Sequence, residues 1–276
     1  MFETLKPRTR IASAAYTFEL IYHNTVRSIR KTHGNAFMAL FTNIFQTLLM
    51  VGVFYIMSSL MGFGMVAAPG DFLVYIMTGI FLFMTHIKTV GAVSGSEGPA
   101  SAMMQHAPMT TAISIASALL STLYIQVLSL LVTLFFYDVL FNPYVMSEIY
   151  DKVSCLGMLI LAWFSGGAIG LVFLAIKPWA PSVIGLVTMI YQRANMIASG
   201  KMFLANMMPP SMIVLFDWNP LFHVIDQARG YAFINYSPRH SDWEYTLYVG
   251  IIALVIGMMG EFYTRKHASA SWGARG

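Results

Sequence analysis

The chain has 276 residues, 57% of them hydrophobic and only 10% charged, with a mean hydropathy of +0.66 and a net charge of +4. A soluble domain carries roughly 25% charged residues, so polar side chains are too few here to cover a water-facing surface, and lipid is the expected solvent. The one cysteine, Cys155, sits in an apolar run and excludes an intrachain disulfide; it reads as a small buried hydrophobe.

The first 35 residues are polar and basic, with Lys6, Arg8, Arg10, Arg27, Arg30 and Lys31. A secretory signal would place its short apolar core nearer the start, so no cleaved signal is expected and the mature chain is read from Met1. Within this segment Ile11, Ala14, Ala15, Phe18, Ile21, Tyr22, Val26 and Ile29 recur every 3–4 residues, while Glu19, His23, Arg27 and Arg30 take the other face. That pattern predicts an amphipathic helix over 11–32, lying in the cytoplasmic membrane interface.

Six stretches then reach the roughly 20 apolar residues needed to cross a bilayer: 36–60, 72–93, 110–137, 153–176, 180–200 and 245–263. Lipid offers backbone groups no partners and no alternating barrel pattern is present, so the expected fold is all-α and polytopic. The fifth stretch is the weakest, because Gln192, Arg193 and Asn195 interrupt it. Lys and Arg gather in the N-terminal segment and, with Arg265, Lys266 and Arg275, in the tail. Six crossings put both ends on one side, expected to be the cytoplasm.

Between the second and third stretches, Glu97 and His106 are the only ionisable groups of the loop, and Pro99 opens a short helix that Pro108 must break. The run "FSGGAIG" at 164–170 lies mid-span, where Gly166 and Gly170 read as a small-residue face for helix packing. No phosphate-binding glycine loop, zinc-protease signature, paired cysteines or nucleophile elbow occurs, so neither a catalytic nor an ATP-hydrolysing role is expected.

Residues 206–243 are too apolar for a water-exposed loop and too broken by proline to span. Two short helices are expected there, dipping back into the outer leaflet. The second opens with Asn219 as N-cap and Pro220 in the first helical position. Leu221, Val224, Ile225, Ala228 and Ala232 form one stripe. His223, Asp226, Gln227, Arg229 and Gly230 form the other, expected to face water or headgroups, with Asp226 and Arg229 able to pair.

The basic amphipathic N-terminal helix, the six spans, Pro108 opening the third, "ASGKMF" at 198–203, Pro209 and above all "WNPLFHVIDQARGYAF" at 218–233 resemble the membrane subunits of ABC-2-type exporters, in the branch that exports capsule, O-antigen or teichoic-acid polysaccharide. The resemblance implies one ABC-2-type transmembrane domain over 1–276: an interface helix at 11–32, a membrane bundle at 36–264 and a cytoplasmic tail at 265–276. It implies an inner-membrane permease, homodimeric, with two copies of a separate ABC ATPase that binds the ATP and Mg; the chain itself would hold no cofactor or metal and no nucleic acid. Lipid-linked glycan would be the substrate, with periplasmic co-polymerase and outer-membrane export proteins as further partners.

In that frame Glu19, Arg27, Arg30, Glu97, His106 and Pro108 would form the ATPase-coupling surface, although the 97–107 loop is poorer in charge than the family leads one to expect. Asn219, Pro220, His223, Asp226 and Arg229 would shape an outer gate. Aromatic rings suit a sugar channel, since a sugar's C–H face stacks on them; Trp163, Phe164, Tyr191, Phe203 and Trp218 are the candidates. Arg193, costly inside a span, would either contact a phosphate or acidic sugar or pair with a neighbouring span. Lys201 is expected to snorkel to the outer interface and Lys88 to the inner one. A drug- or lipid-exporting ABC-2 permease shares the fold. A stand-alone secondary transporter is disfavoured, because ionisable groups deep in the spans are few.

Overall fold

A computed structural model describes residues 10–33, 35–61, 70–98 and 110–267. Within them the chain is helical, with no strand: α1 (Arg10–His33), α2 (Ala36–Met61), α3 (Phe72–Ser94), α4 (Thr111–Leu140), α5 (Val145–Glu148), α6 (Lys152–Ile176), α7 (Pro181–Ala198), α8 (Pro210–Ile213), α9 (Pro220–Ala232) and α10 (Trp243–His267). Five of these, α2, α3, α4, α6 and α10, are long and apolar enough to cross a membrane. The fifth predicted stretch is helical as α7, but its 18 residues carry the Gln192, Arg193 and Asn195 interruption and it does not join that set.

Caps set the helix starts. Asp71 accepts from the amides of Leu73 and Val74 at the head of α3, and its other oxygen takes the Tyr137 hydroxyl at 2.6 Å, tying α3 to the end of α4. Thr110 caps α4 through the Ile113 amide, and Asp151 caps α6 through the amide and hydroxyl of Ser154. Each oxygen satisfies a donor that the first helical turn leaves without an internal partner.

The centre is the pair α3 and α6, with α10 along the other side of α6 and α9 wedged at their ends. The small-residue face on α6 makes this possible: a Cβ on Gly166 would stand 2.6 Å from the His86 carbonyl, and one on Gly170 2.9 Å from that of Val90. The glycines of "FSGGAIG" are therefore packing residues, as expected. On α3, His86 bonds to the Ala162 carbonyl and Ser165 hydroxyl of α6. By contrast α2, α4 and α10 leave most of their surface uncovered, with rows such as Phe37, Phe41, Phe45 and Leu49 on α2 outward.

α1 is an amphipathic helix as predicted and leans on α4, where Ser117 donates to the Ile21 carbonyl at 3.2 Å. Its apolar residues Ile11, Phe18 and Tyr22 are exposed on the isolated chain.

Candidate functional site

The segment between α7 and α10 is held by polar contacts made from inside. At the C-terminus of α7, Gly200 adopts φ +70°, the only positive φ among the described residues. This left-handed residue ends the helix and turns residues 200–203 under α9. A Cβ there would also strike the Phe222 ring at 2.6 Å.

α9 begins as the sequence predicts. The Asn219 side-chain oxygen Oδ1 accepts from the Leu221 amide at 3.0 Å, and Pro220 occupies the first turn. The Asn219 amide also donates to Asn195 Oδ1 at 3.0 Å and the Ala198 carbonyl at 2.8 Å, which staples α9 to the end of α7. From α10, Thr246 donates to the Pro220 carbonyl and Tyr245 to that of Trp218. At its other end, the Ala232 and Tyr231 carbonyls accept from the amides of Tyr150 and Asp151.

The apolar stripe of α9 is buried as expected, but the polar stripe is buried too: His223 is 5% exposed, Asp226 2% and Arg229 1%. The expectation of a face turned to water or headgroups therefore fails, as does that of an Asp226–Arg229 pair. Arg229 reaches the 200–203 turn, donating to the carbonyls of Gly200 (3.0 Å), Lys201 (2.7 Å) and Phe203 (2.6 Å), with its guanidinium 4.2 Å over the Tyr75 ring. Gly79 on α3 gives it room: a Cβ there would meet Arg229 Nη2 and the Lys201 carbonyl, each at 2.9 Å.

Asp226 reaches the opposite way. It accepts the Tyr236 hydroxyl at 2.5 Å and that of Ser241 at 2.7 Å. Burial and the Asp226 charge push the Tyr236 phenol well above its ordinary range, so it stays protonated and donates. His223 accepts the Asp242 amide at Nδ1 (2.9 Å) and donates from Nε2 to the Asp217 carbonyl (2.6 Å); this pattern assigns the Nε2–H tautomer. Gln227 donates to Ser241. The polar stripe thus grips the chain on both sides of α9 through backbone carbonyls and hydroxyls that the sequence spacing does not reveal, with Arg229 Nε left without a partner among the described residues.

The other predicted residues are dispersed. Trp163 donates to the Leu119 carbonyl of α4, whereas the ring of its α6 neighbour Phe164 packs against Gly250 of α10. Tyr191 bonds His86 Nε2 at 2.8 Å. Phe203 meets Phe216 edge-on with ring centroids 4.9 Å apart. Trp218 is exposed, its indole donating to the Leu215 carbonyl.

Lys201 does not snorkel. It is buried, with Nζ 3.4 Å from the centroid of Phe83 and 5.3 Å from that of Phe54, and among the described residues it has no hydrogen-bond partner. Desolvation pushes its ammonium down to about 7.

Arg193 is exposed on α7, and no hydrogen bond or ion pair joins it to another described residue. Pairing with a neighbouring span of the same chain is therefore not its role within the described residues. Of the coupling residues, Glu19, Arg27 and Arg30 are exposed on α1 and Glu97 is half-buried after α3; His106 and Pro108, with the predicted short helix from Pro99, lie outside the described residues.

Sequence reading missed one cluster. Lys88, expected to snorkel, instead turns inward to Asn43 and Gln46 of α2, beside Gln126 of α4. Two amides one turn apart in an apolar helix, Asn43 and Gln46, were the available signal. No group of three His, Cys, Asp or Glu side chains able to hold a metal ion occurs among the described residues. The chain matches no protein-family model and no curated protein.

Proposed function

We propose that this chain is the membrane-spanning subunit of an ATP-driven exporter of lipid-linked polysaccharide in a bacterial inner membrane. It works as a homodimer, with ATP hydrolysed by two copies of a separate subunit. In this reading α7 also crosses, as the fifth of six spans, and both ends are cytoplasmic. Eighteen residues at 1.5 Å each extend about 27 Å, close to the roughly 30 Å of hydrocarbon. α8 and α9 form the outer gate, and the exposed basic residues of α1 meet the ATPase.

Arg193 carries the reading. Of the three polar interruptions in α7, Gln192 donates to the Ile87 carbonyl, and Asn195 is bonded to Tyr191 and Asn219. Arg193 alone points outward, among exposed Met189, Ile190 and Ile197. A guanidinium facing lipid costs at least about 2.5 kcal/mol on insertion scales, so this face belongs against a water-filled passage or a second copy. A passage between two protomers, lined by α7, supplies both and offers a cation to a phosphate or acidic sugar.

The test compares Arg193→Gln and Arg193→Lys in cells that depend on the chain, measuring surface polysaccharide and membrane protein level together. The expected result is export lost in the Gln variant, partly kept in the Lys variant, and normal protein level in both. Export at the wild-type level in Arg193→Gln overturns the role. Purification of the tagged chain without a stoichiometric ATPase overturns the class.

A further inference from the structure

Independently of the export reading, two cavities of opposite character meet where α3 and α6 begin and α4 ends. All three helices are long and apolar enough to span, so this level is a boundary between bilayer and water. The first cavity is a slot of about 210 Å³ with an almost wholly apolar wall. Its floor is buried core: Val74, Met77 and Phe81 of α3 with Leu159 of α6. Leu131 of α4 and Leu156 of α6 are exposed at its rims, so it opens sideways between two helices that share little contact. From Lys152 to Leu159 it follows α6 for about 10 Å.

The second cavity, about 460 Å³, adjoins the slot, with Val74, Ile149 and Ala232 walling both. Asp71 and Glu148 line it and converge on one donor, Asn142 Nδ2, at 3.3 and 3.0 Å. The other donors to Asp71 are also neutral, the amides of Leu73 and Val74 and the Tyr137 hydroxyl. Among the described residues no Lys or Arg pairs with either carboxylate.

Lys152, at the head of α6, is the one charged residue on the slot's wall. It is exposed, and no hydrogen bond or ion pair joins it to another described residue. Asp151, beside it in the chain, caps α6 and keeps the local balance negative. An apolar slot is thus headed by one cation and, in the adjoining basin, by carboxylates that lack a cation.

We propose that the two cavities together hold one phosphatidylethanolamine of the surrounding membrane. An acyl chain fills the slot, the phosphate meets Lys152, and the primary ammonium lies over Glu148 and Asp71. Lipid tails are as apolar as the slot, so the slot contributes shape and dispersion contacts, and selection falls to the headgroup. An ammonium offers the carboxylates charge-assisted hydrogen bonds. A choline group has no N–H to give them, and a glycerol headgroup has no positive charge.

Full-length chain in detergent is titrated with phosphatidylethanolamine, phosphatidylcholine and phosphatidylglycerol of one acyl length, and with glycerophosphoethanolamine, which has the headgroup and no tails. Native mass reads occupancy. Phosphatidylethanolamine is expected to bind at one per chain, severalfold more tightly than the other two lipids, and the tailless headgroup not to bind. Glu148→Gln should weaken phosphatidylethanolamine severalfold, the scale of one partly exposed ion pair, and bring it down to the phosphatidylcholine level. Lys152→Gln should weaken it by a similar factor, and Glu244→Gln, at the start of α10, not at all. The proposal is overturned if phosphatidylcholine or phosphatidylglycerol binds as tightly as phosphatidylethanolamine, if the tailless headgroup does so, or if Glu148→Gln leaves the preference intact. Gel filtration reports folding; should Glu148→Gln misfold, the lipid panel on the wild-type chain and Lys152→Gln decide.

Discussion

Asp226 and Arg229 stand one turn apart on α9, yet they reach in opposite directions: Arg229 to the carbonyls of Gly200, Lys201 and Phe203, Asp226 to the hydroxyls of Tyr236 and Ser241. Each buried charge fastens α9 to a different flanking segment. A local ion pair would have held one helical turn to itself; this arrangement holds the whole segment between α7 and α10 as one unit.

Replacing Arg229 by Met should leave three buried carbonyls without their donors, at about 1–3 kcal/mol for each that water cannot reach. Lys, with a point charge in place of a planar fork, should recover only part of the loss. Thermal unfolding in detergent checks this. The expected order of midpoints is wild type, Arg229→Lys, Arg229→Met, and equal midpoints for all three would contradict the geometry.

The Asp226 contacts are open to a double-mutant cycle. Tyr236→Phe removes one charge-assisted bond, expected at about 1.5–3 kcal/mol, and Asp226→Asn weakens both that bond and the one from Ser241. The two losses should not add, because both report on one contact. Ser241→Ala combined with Tyr236→Phe should cost more than either alone, since these hydroxyls occupy different oxygens. Additive losses for Asp226 and Tyr236 would mean that the pair does not interact.

Lys201 should make stability rise with pH. Its ordinary value of 10.5 falls to about 7 in the folded chain because burial penalises the charged form. Between those two values the unfolded chain holds more protons than the folded one, so the unfolding free energy increases as pH goes from 7 towards 10.5. Below about 7 the penalty is complete and constant. Lys201→Met should raise the melting midpoint at pH 7 and flatten its rise between pH 7 and 9. An unchanged slope in that variant would assign the rise to other groups.

Two glycines should respond oppositely to alanine. At Gly79 the new methyl would crowd Arg229 and the Lys201 carbonyl at 2.9 Å, so Gly79→Ala should destabilise and move the 200–203 turn. At Gly157, inside α6, nothing lies within 4 Å, and Gly157→Ala should stabilise the isolated chain by about 0.5–1 kcal/mol through helix propensity. Melting of the two variants side by side checks both signs.

The helical class, the amphipathic α1, the five apolar helices, the Asn219–Pro220 start of α9 and the glycine face of α6 were legible in the chain, because composition, 3.6-residue periodicity and capping act over a few neighbouring residues. Where polar side chains point was not legible. Arg229, Asp226 and His223 find their partners in backbone carbonyls, an amide and hydroxyls of segments that are themselves apolar or neutral, and such groups leave no mark in a residue pattern. Lys88 and Lys201 were expected to reach outwards, as long cations at the ends of apolar runs commonly do. The fold instead gives Lys88 amides from another helix and Lys201 an aromatic face. Local sequence determined which segments are helical and apolar. Only the packing of distant segments decided which charges are buried, because burying a charge depends on partners that the chain supplies from far along its length.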